Sequence, residues 1–192
     1  MERSVQSYVA SCEVCQKHKR RPGCQPGLLT PIPLPDTIFN TIGIDHVGPL
    51  PTTTAGNRYI VVAVDHLSKF VEVAAVPSLA AGFVIKFLRD RFEWKHGLPK
   101  KIISDRATTY RSRELRSYLR NAGVEHHFTS AYHPQANGLT ERYNQNLLAR
   151  LVPYCKNNKP NEADWDDHLQ AAAYAINTAF QVSIGTSPYE VV

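Results

Sequence analysis

The chain has 192 residues, is 43% hydrophobic and carries a formal net charge of +5. That length suffices for one domain with a proper core, while its longest fully apolar run, residues 59–64, is far too short to cross a bilayer. Four cysteines (Cys12, Cys15, Cys24 and Cys155) and an N-terminus "MERSVQSYVASC" without an apolar core argue against a secreted disulfide scaffold. The positive balance points toward a polyanionic partner.

Residues 1–20 read as a helix ending in a Cys-x-x-Cys knuckle at Cys12 and Cys15. The stretch "RPGCQPGLLTPIPLPDT", residues 21–37, holds five prolines and two glycines and reads as a linker, which places a domain boundary there. A strand follows, with Ile42 and Ile44 alternating up to Asp45 before a break at Gly48-Pro49. "RYIVVAVDHLS" and "KFVEVAAVP" form an antiparallel hairpin with a tight connection near Leu67 to Lys69. Asp65, at the end of the first of these runs, reads as the cap of that turn. "SLAAGFVIKFLRDRFEWKHG" has helical spacing at positions 83, 84, 87, 88 and 92 and a stop at Gly97.

"KKIISDRA" is a short buried strand ending on Asp105. "SRELRSYLRNAG" is a helix capped by Ser112, with Leu115, Tyr118 and Leu119 inward and Gly123 as its stop. "VEHHFTS" is the fifth strand. The polar loop Tyr132 to Gly138 then turns into a helix from Leu139 to about Cys155. After the polar loop "KNNKPNEA" a last helix begins near Asp164, with Trp165, Leu169, Ala172, Ile176 and Phe180 as its inner stripe. The order β-β-β-α-β-α-β-α-α implies an α/β protein with a mixed central sheet and helices on its faces.

Three acidic residues stand out. Asp45 closes the first strand, Asp105 the fourth, and Glu141 lies in the first turn of the helix after the fifth. If the first and fourth strands are neighbours, two carboxylates meet at their ends and a helix packed over that edge brings the third. Converging carboxylates repel one another, and a divalent cation relieves this; Mg²⁺ takes hard oxygen ligands of this kind. Basic residues at Lys100, Lys101, Arg106, Arg111, Arg113, Arg116 and Arg120 bracket Asp105, as a phosphodiester substrate requires.

Between Asp105 and Glu141 lie 141 − 105 − 1 = 35 residues. With that spacing, the phrases "IGIDHVGPLP", "GNRYIVVAVDHLSKFVEVAAV", "HGLPKKIISDR", "TSAYHPQANGLTERYNQNL" and "INTAFQVSIGTSPYE" resemble the retroviral-type integrase family, closest to integrases of gypsy-type LTR retrotransposons. They cover most of residues 38–190 in the family's order.

The resemblance implies an RNase H-like mixed five-stranded sheet flanked by helices. It implies an integrase catalytic core over residues 38–192, a metal-dependent polynucleotidyl transferase for DNA 3′-end processing and strand transfer. It makes Asp45, Asp105 and Glu141 catalytic ligands of two Mg²⁺ or Mn²⁺ ions. DNA would be contacted by Tyr132, Gln135, Asn137, Asn144, Arg106 and Arg142, with Gly138 as a hinge and His133 structural or DNA-facing. Element ends and target DNA are the implied partners, and a homo-multimer the implied assembly. The expected location is the nucleus or a cytoplasmic particle, without membrane association or secretion.

Residues 1–20 resemble the remnant of a His-His-Cys-Cys zinc domain, which makes the chain a polyprotein fragment. Cys12 and Cys15 would supply two zinc ligands, with His18 and Cys24 as imperfect substitutes for the others. Ala107 stands where the family usually has Gly, so strain is expected in the backbone carrying Asp105. A catalytically decayed or host-adopted nucleic-acid-binding module of the same fold is the competing expectation.

Overall fold

The computed structural model describes residue 11 and residues 35–129, 138–152 and 164–192. Two compact units divide the chain, Met1–Ile32 and Pro33–Val192, and the division falls inside the proline-rich stretch. Of the first unit only Ser11, helical and exposed, is described. The zinc expectation at Cys12, Cys15, His18 and Cys24 therefore lies outside the described residues, as do the loop positions Tyr132, His133, Gln135 and Asn137.

The second unit is built on five strands: β1 Thr41–Val47, β2 Tyr59–Asp65, β3 Val71–Val76, β4 Lys101–Ser104 and β5 Glu125–Phe128. Their order in the sheet is β3-β2-β1-β4-β5. The pairs β1–β2 and β2–β3 are antiparallel, whereas β1–β4 and β4–β5 are parallel. β1 is thus the central strand, and β4 is its parallel neighbour.

Both faces of the sheet are covered, which is why β2 reads as an unbroken apolar run rather than as an alternation. On one face Ile42, Ile44, Val61 and Ala63 pack with Val84, Phe87 and Leu88 of α1 (Ala81–Leu88) and Leu115 and Leu119 of α2 (Arg113–Asn121). On the other face Ile60, Val62 and Val64 meet Tyr143, Leu147 and Leu151 of α3 (Gly138–Leu151) and Trp165, Leu169 and Ile176 of α4 (Trp165–Asn177). Each such aliphatic side chain, fully buried, contributes about 1.5–3 kcal/mol.

Local chemistry accounts for most boundaries. Ser112 Oγ accepts from the Leu115 amide at 3.2 Å and starts α2. Gly123 ends that helix at φ +71°. Asp65 caps the hairpin turn, as its sequence context suggests. It is 1% exposed and accepts from the Ser68 amide and hydroxyl at 2.7 Å each and from the Phe39 amide at 3.1 Å.

Four details depart from the sequence reading. The helix from Ala81 widens into a π-helical turn at Arg89–Glu93. A π turn brings residues five apart onto one side, and Phe87 and Phe92 meet edge-on there, both buried. β1 does not close at Asp45 but continues through Val47, still paired to β2. Phe180 is not part of the inner stripe of α4: that helix ends at Asn177, and the ring beyond it is 68% exposed. A short α5, Pro188–Val191, follows, started by a Ser187–Glu190 capping box with Pro at its first turn. No helix among the described residues is long and apolar enough to cross a membrane.

Candidate active site

Strand alternation sends neighbouring residues of β1 to opposite faces. Ile42 and Ile44 join the core under α1 and α2, and Val47 joins the core under α3 and α4. Asp45 shares the α3 face with Val47, and Asn144 of α3 donates Nδ2–H to Asp45 Oδ2 at 2.9 Å. The other oxygen, Oδ1, accepts from the His46 amide at 2.8 Å.

The parallel pairing of β1 with β4 ends at Ile44 and Ser104. Asp45 and Asp105 are the next residue on each strand, so both carboxylates emerge where two strands about 5 Å apart in the sheet begin to part. Asp105 Oδ1 accepts from the Ala107 amide at 3.0 Å. Its carbonyl accepts from Ser104 Oγ at 2.9 Å, and that hydroxyl in turn lies 2.8 Å from His126 Nε2. Burial, aided by the nearby cations of His127 and Arg116, pushes His126 down to about 4. With the Ser104 proton given to the Asp105 carbonyl, the Nε2–H tautomer of His126 is the one that completes this pair.

Ala107 does not strain this turn. Phe39 and Lys69 are the described non-glycine residues with positive φ, so Ala107 has an ordinary backbone and needs no glycine. Its methyl group packs against the α1–α2 core.

Electrostatics single out Asp45. Burial is the main reason its carboxyl rises from 3.8 to about 6. The negative charges of Asp105 and Glu141 push in the same direction, and the bonds from His46 and Asn144 oppose them. Glu141 itself is exposed. Among the described residues no three His, Cys, Asp or Glu side chains are already gathered as a metal-ligand set. The oxygen donors and the repulsion felt at Asp45 nevertheless suit a hard divalent cation.

Flanking groups add detail the sequence reading missed. His46 Nδ1 lies 2.6 Å from the hydroxyl of fully buried Tyr110, and His46 Nε2 is buried without a partner. Burial lowers His46 to about 4. The period-2 placement of His46 opposite Asp45 was legible; its contact with a residue 64 positions away was not. Arg106, exposed, donates Nε–H to the Thr129 carbonyl at 3.2 Å. With Arg111 and Phe128 it lines a cavity of about 320 Å³. Arg142 is exposed beside Glu141 on α3. A second cavity, about 440 Å³, is lined by none of the three carboxylates and lies among β3, the π turn and α4.

Comparison with known proteins places this arrangement. Residues 41–134 match the integrase core domain family. Over 193 aligned residues, all of this chain is 29% identical to the transposon Tf2-3 and Tf2-4 polyproteins of Schizosaccharomyces pombe, and it spans 14% of their length. Among solved structures, a chain of the simian T-cell lymphotropic virus intasome in complex with PP2A regulatory subunit B56 gamma matches with a TM-score of 0.74 at 20% identity, over 100% of this chain and 66% of that one. The HTLV-2 integrase catalytic core domain in complex with magnesium, in trimeric form, matches with a TM-score of 0.63 at 18% identity, over 80% of this chain and 95% of its own. The catalytic core domain of BIV integrase matches at 0.59 and 22%, over 80% and 93%. The five-stranded mixed sheet with its flanking helices is accordingly the RNase H-like fold of retroviral integrase cores. Over residues 41–134 this chain is thus similar to the integrase core domain family, and its fold is that of retroviral integrase cores.

Proposed function

We propose that residues 38–192 form the catalytic core of a metal-dependent polynucleotidyl transferase, which processes DNA 3′ ends and joins them to target DNA. The observation that carries this reading is Asp45, a half-buried carboxylate held by Asn144 of α3 and raised to about 6 mainly by burial, with the charges of Asp105 and Glu141 adding to it. A carboxylate so placed has a reason to stay only if something positive compensates it.

Asp45, Asp105 and Glu141 are the ligands in this reading, for two Mg²⁺ or Mn²⁺ ions. Bound there, the cations would polarise the phosphodiester and make water or a 3′-hydroxyl a competent nucleophile. The chain's own contribution is position and charge. Asn144 holds one oxygen of Asp45 and so fixes the carboxylate's orientation. Ser104, backed by His126, pins the carbonyl of Asp105. Arg106, next to Asp105 in the chain, and Arg111, which lines the same cavity, would neutralise the nucleic-acid backbone. Phe128 offers an aromatic face in the same cavity, on which a base can stack. Tyr132, Gln135, Asn137 and Arg142 complete the DNA contacts. No Ser or Cys nucleophile enters the scheme. Zinc at Cys12 and Cys15, a homo-multimeric assembly and a nuclear or particle location belong to the same reading.

The test is nicking and strand transfer on an end-labelled duplex with Mg²⁺ or Mn²⁺, wild type beside Glu141→Gln, with DNA binding measured in parallel. Metal-dependent products from the wild type and none from the variant support the transferase. Equal DNA binding with no products from either, even within the full polyprotein context, would favour the non-catalytic module.

A further inference from the structure

We propose that Gly43 and Thr140 form an interlock that sets the position of Glu141. The inference rests on the metal-site reading of Glu141 but concerns residues which that reading does not use. Gly43 lies in the centre of the sheet, paired to Val64 on β2 and Ile103 on β4. Its α-carbon faces α3. A β-carbon placed there would overlap Thr140 Oγ1, well inside van der Waals contact, and would lie 3.3 Å from His66 Nε2. Thr140 is 1% exposed and occupies the first turn of α3, one residue before Glu141. The hydroxyl of Thr140 therefore fills the space that any side chain at position 43 would need.

Beside the core packing of Tyr143 and Leu147, this contact and one other seat the first turns of α3 on β1. Gly43 and Asp45 lie two residues apart on the same face of the strand, about 7 Å. Thr140 and Asn144 lie four residues apart on the same face of the helix, about 6 Å. Thr140 meets Gly43 and Asn144 meets Asp45, so the two spacings match and the helix is seated at both ends of one turn. Glu141 lies within that turn. Two contacts fix both the distance of the helix from the strand and its rotation, and rotation decides whether Glu141 faces Asp45 and Asp105. Tyr143 and Leu147 hold α3 on the sheet, and the Thr140–Gly43 contact sets how closely its first turn, which carries Glu141, approaches β1.

Glycine at 43 is therefore a positioning residue, required for close approach and not for a left-handed backbone. Widening the contact by one methyl group pushes away the end of α3 that carries Glu141. Removing Thr140 Oγ1 relieves the overlap, because the β-carbon of Thr140 lies at an ordinary 3.8 Å and His66 Nε2, at 3.3 Å, then has to give by only a few tenths of an ångström.

The experiment compares wild type, Gly43→Ala, Gly43→Ala/Thr140→Ala and Gly43→Ala/Thr140→Ser by amide hydrogen exchange and by Mn²⁺ titration, with Glu141→Gln as a reference. Gly43→Ala is expected to speed exchange in the first turns of α3 at least ten-fold, with α1 and α2 unchanged, and to weaken Mn²⁺ binding at least ten-fold, as Glu141→Gln does. The Thr140→Ala partner should restore both readings to within about three-fold of wild type. The Thr140→Ser partner keeps Oγ1 and should restore neither. Wild-type exchange in α3 of Gly43→Ala, or equal behaviour of the two double variants, overturns the interlock. If wild type binds no Mn²⁺, the metal-site reading fails, and the exchange pattern alone decides whether Gly43 seats the helix.

Discussion

Asp45 and Asp65 look alike in sequence, each closing an apolar run, yet the protein treats them in opposite ways. Asp65, at the far end of the β1–β2 pair, receives three hydrogen bonds within its own corner and is sealed from solvent. Asp45 has one bond from its own neighbour and one from Asn144, and it faces two further carboxylates. A carboxylate with both oxygens engaged by buried amides and a hydroxyl is part of the structure. One held in place by a single side chain, with its proton affinity raised, is available for chemistry. Position at a strand end distinguishes nothing; the donors around it do.

Mutating the two residues should therefore shift stability in opposite directions. Asp65→Ala leaves the buried amides of Phe39 and Ser68 without acceptors and should cost about 3 kcal/mol, read as a lower unfolding midpoint in urea. Asp45→Asn removes the disfavoured charge but keeps one acceptor for two donors, Asn144 and the His46 amide, so the gain is net of about 1 kcal/mol for the bond lost. It should stabilise the metal-free protein at pH 7 by on the order of 2 kcal/mol, while abolishing Mn²⁺ binding.

The pH dependence follows from the same shift. The folded value of Asp45, about 6, lies above its ordinary 3.8, so the native state holds this proton more tightly than the unfolded chain. Its contribution to stability is fully present below about pH 4 and is lost as pH rises through about 6. Thermal unfolding of metal-free wild type against Asp45→Asn should show the difference opening across that window and reaching a plateau above it. Saturating Mn²⁺ should reverse the slope, because the ion binds the ionised form.

Asn144→Ala is a milder perturbation. It removes a bond that favours the ionised carboxylate, so Asp45 should titrate higher still, seen by carboxyl NMR, at a cost of about 1 kcal/mol in stability. Ala107→Gly should do least. With an ordinary backbone at Ala107, the glycine adds unfolded-state freedom and gives up the partly buried methyl contact, about 1 kcal/mol of destabilisation, with no gain in DNA cleavage. A large gain would restore the strain that the resemblance suggested and this backbone lacks.

Much of this fold was legible because one signal sufficed at each step. The hairpin turn, the Ser112 cap and the Gly97 and Gly123 stops are local, and the order of elements along the chain followed from the alternation of types, whereas the pairing of β1 with β4 was only a condition until the sheet was seen. The π turn was hidden because the spacing of Phe87, Leu88 and Phe92 suits an α-helix until the packing of Phe92 is known. The short α5 had its signal in plain view, Ser187-x-x-Glu190 with Pro188 between, at a place read only as the end of the chain. At the site, the carboxylates were legible from spacing and resemblance. Their supports were not: Tyr110 on His46, His126 on Ser104 and Thr140 against Gly43 each join residues from different elements. A small residue within a strand marks close approach, but only the packed helix says what approaches.

The most direct measurement is diffraction from crystals soaked in Mn²⁺, using its anomalous signal to locate the ion. The account predicts a site within about 2.1–2.3 Å of oxygens from both Asp45 and Asp105, with Glu141 drawn in, and its loss in Asp45→Asn crystals. Manganese absent from this site at saturating concentration, or bound elsewhere while Asp45 keeps its bond to Asn144 unchanged, would contradict it.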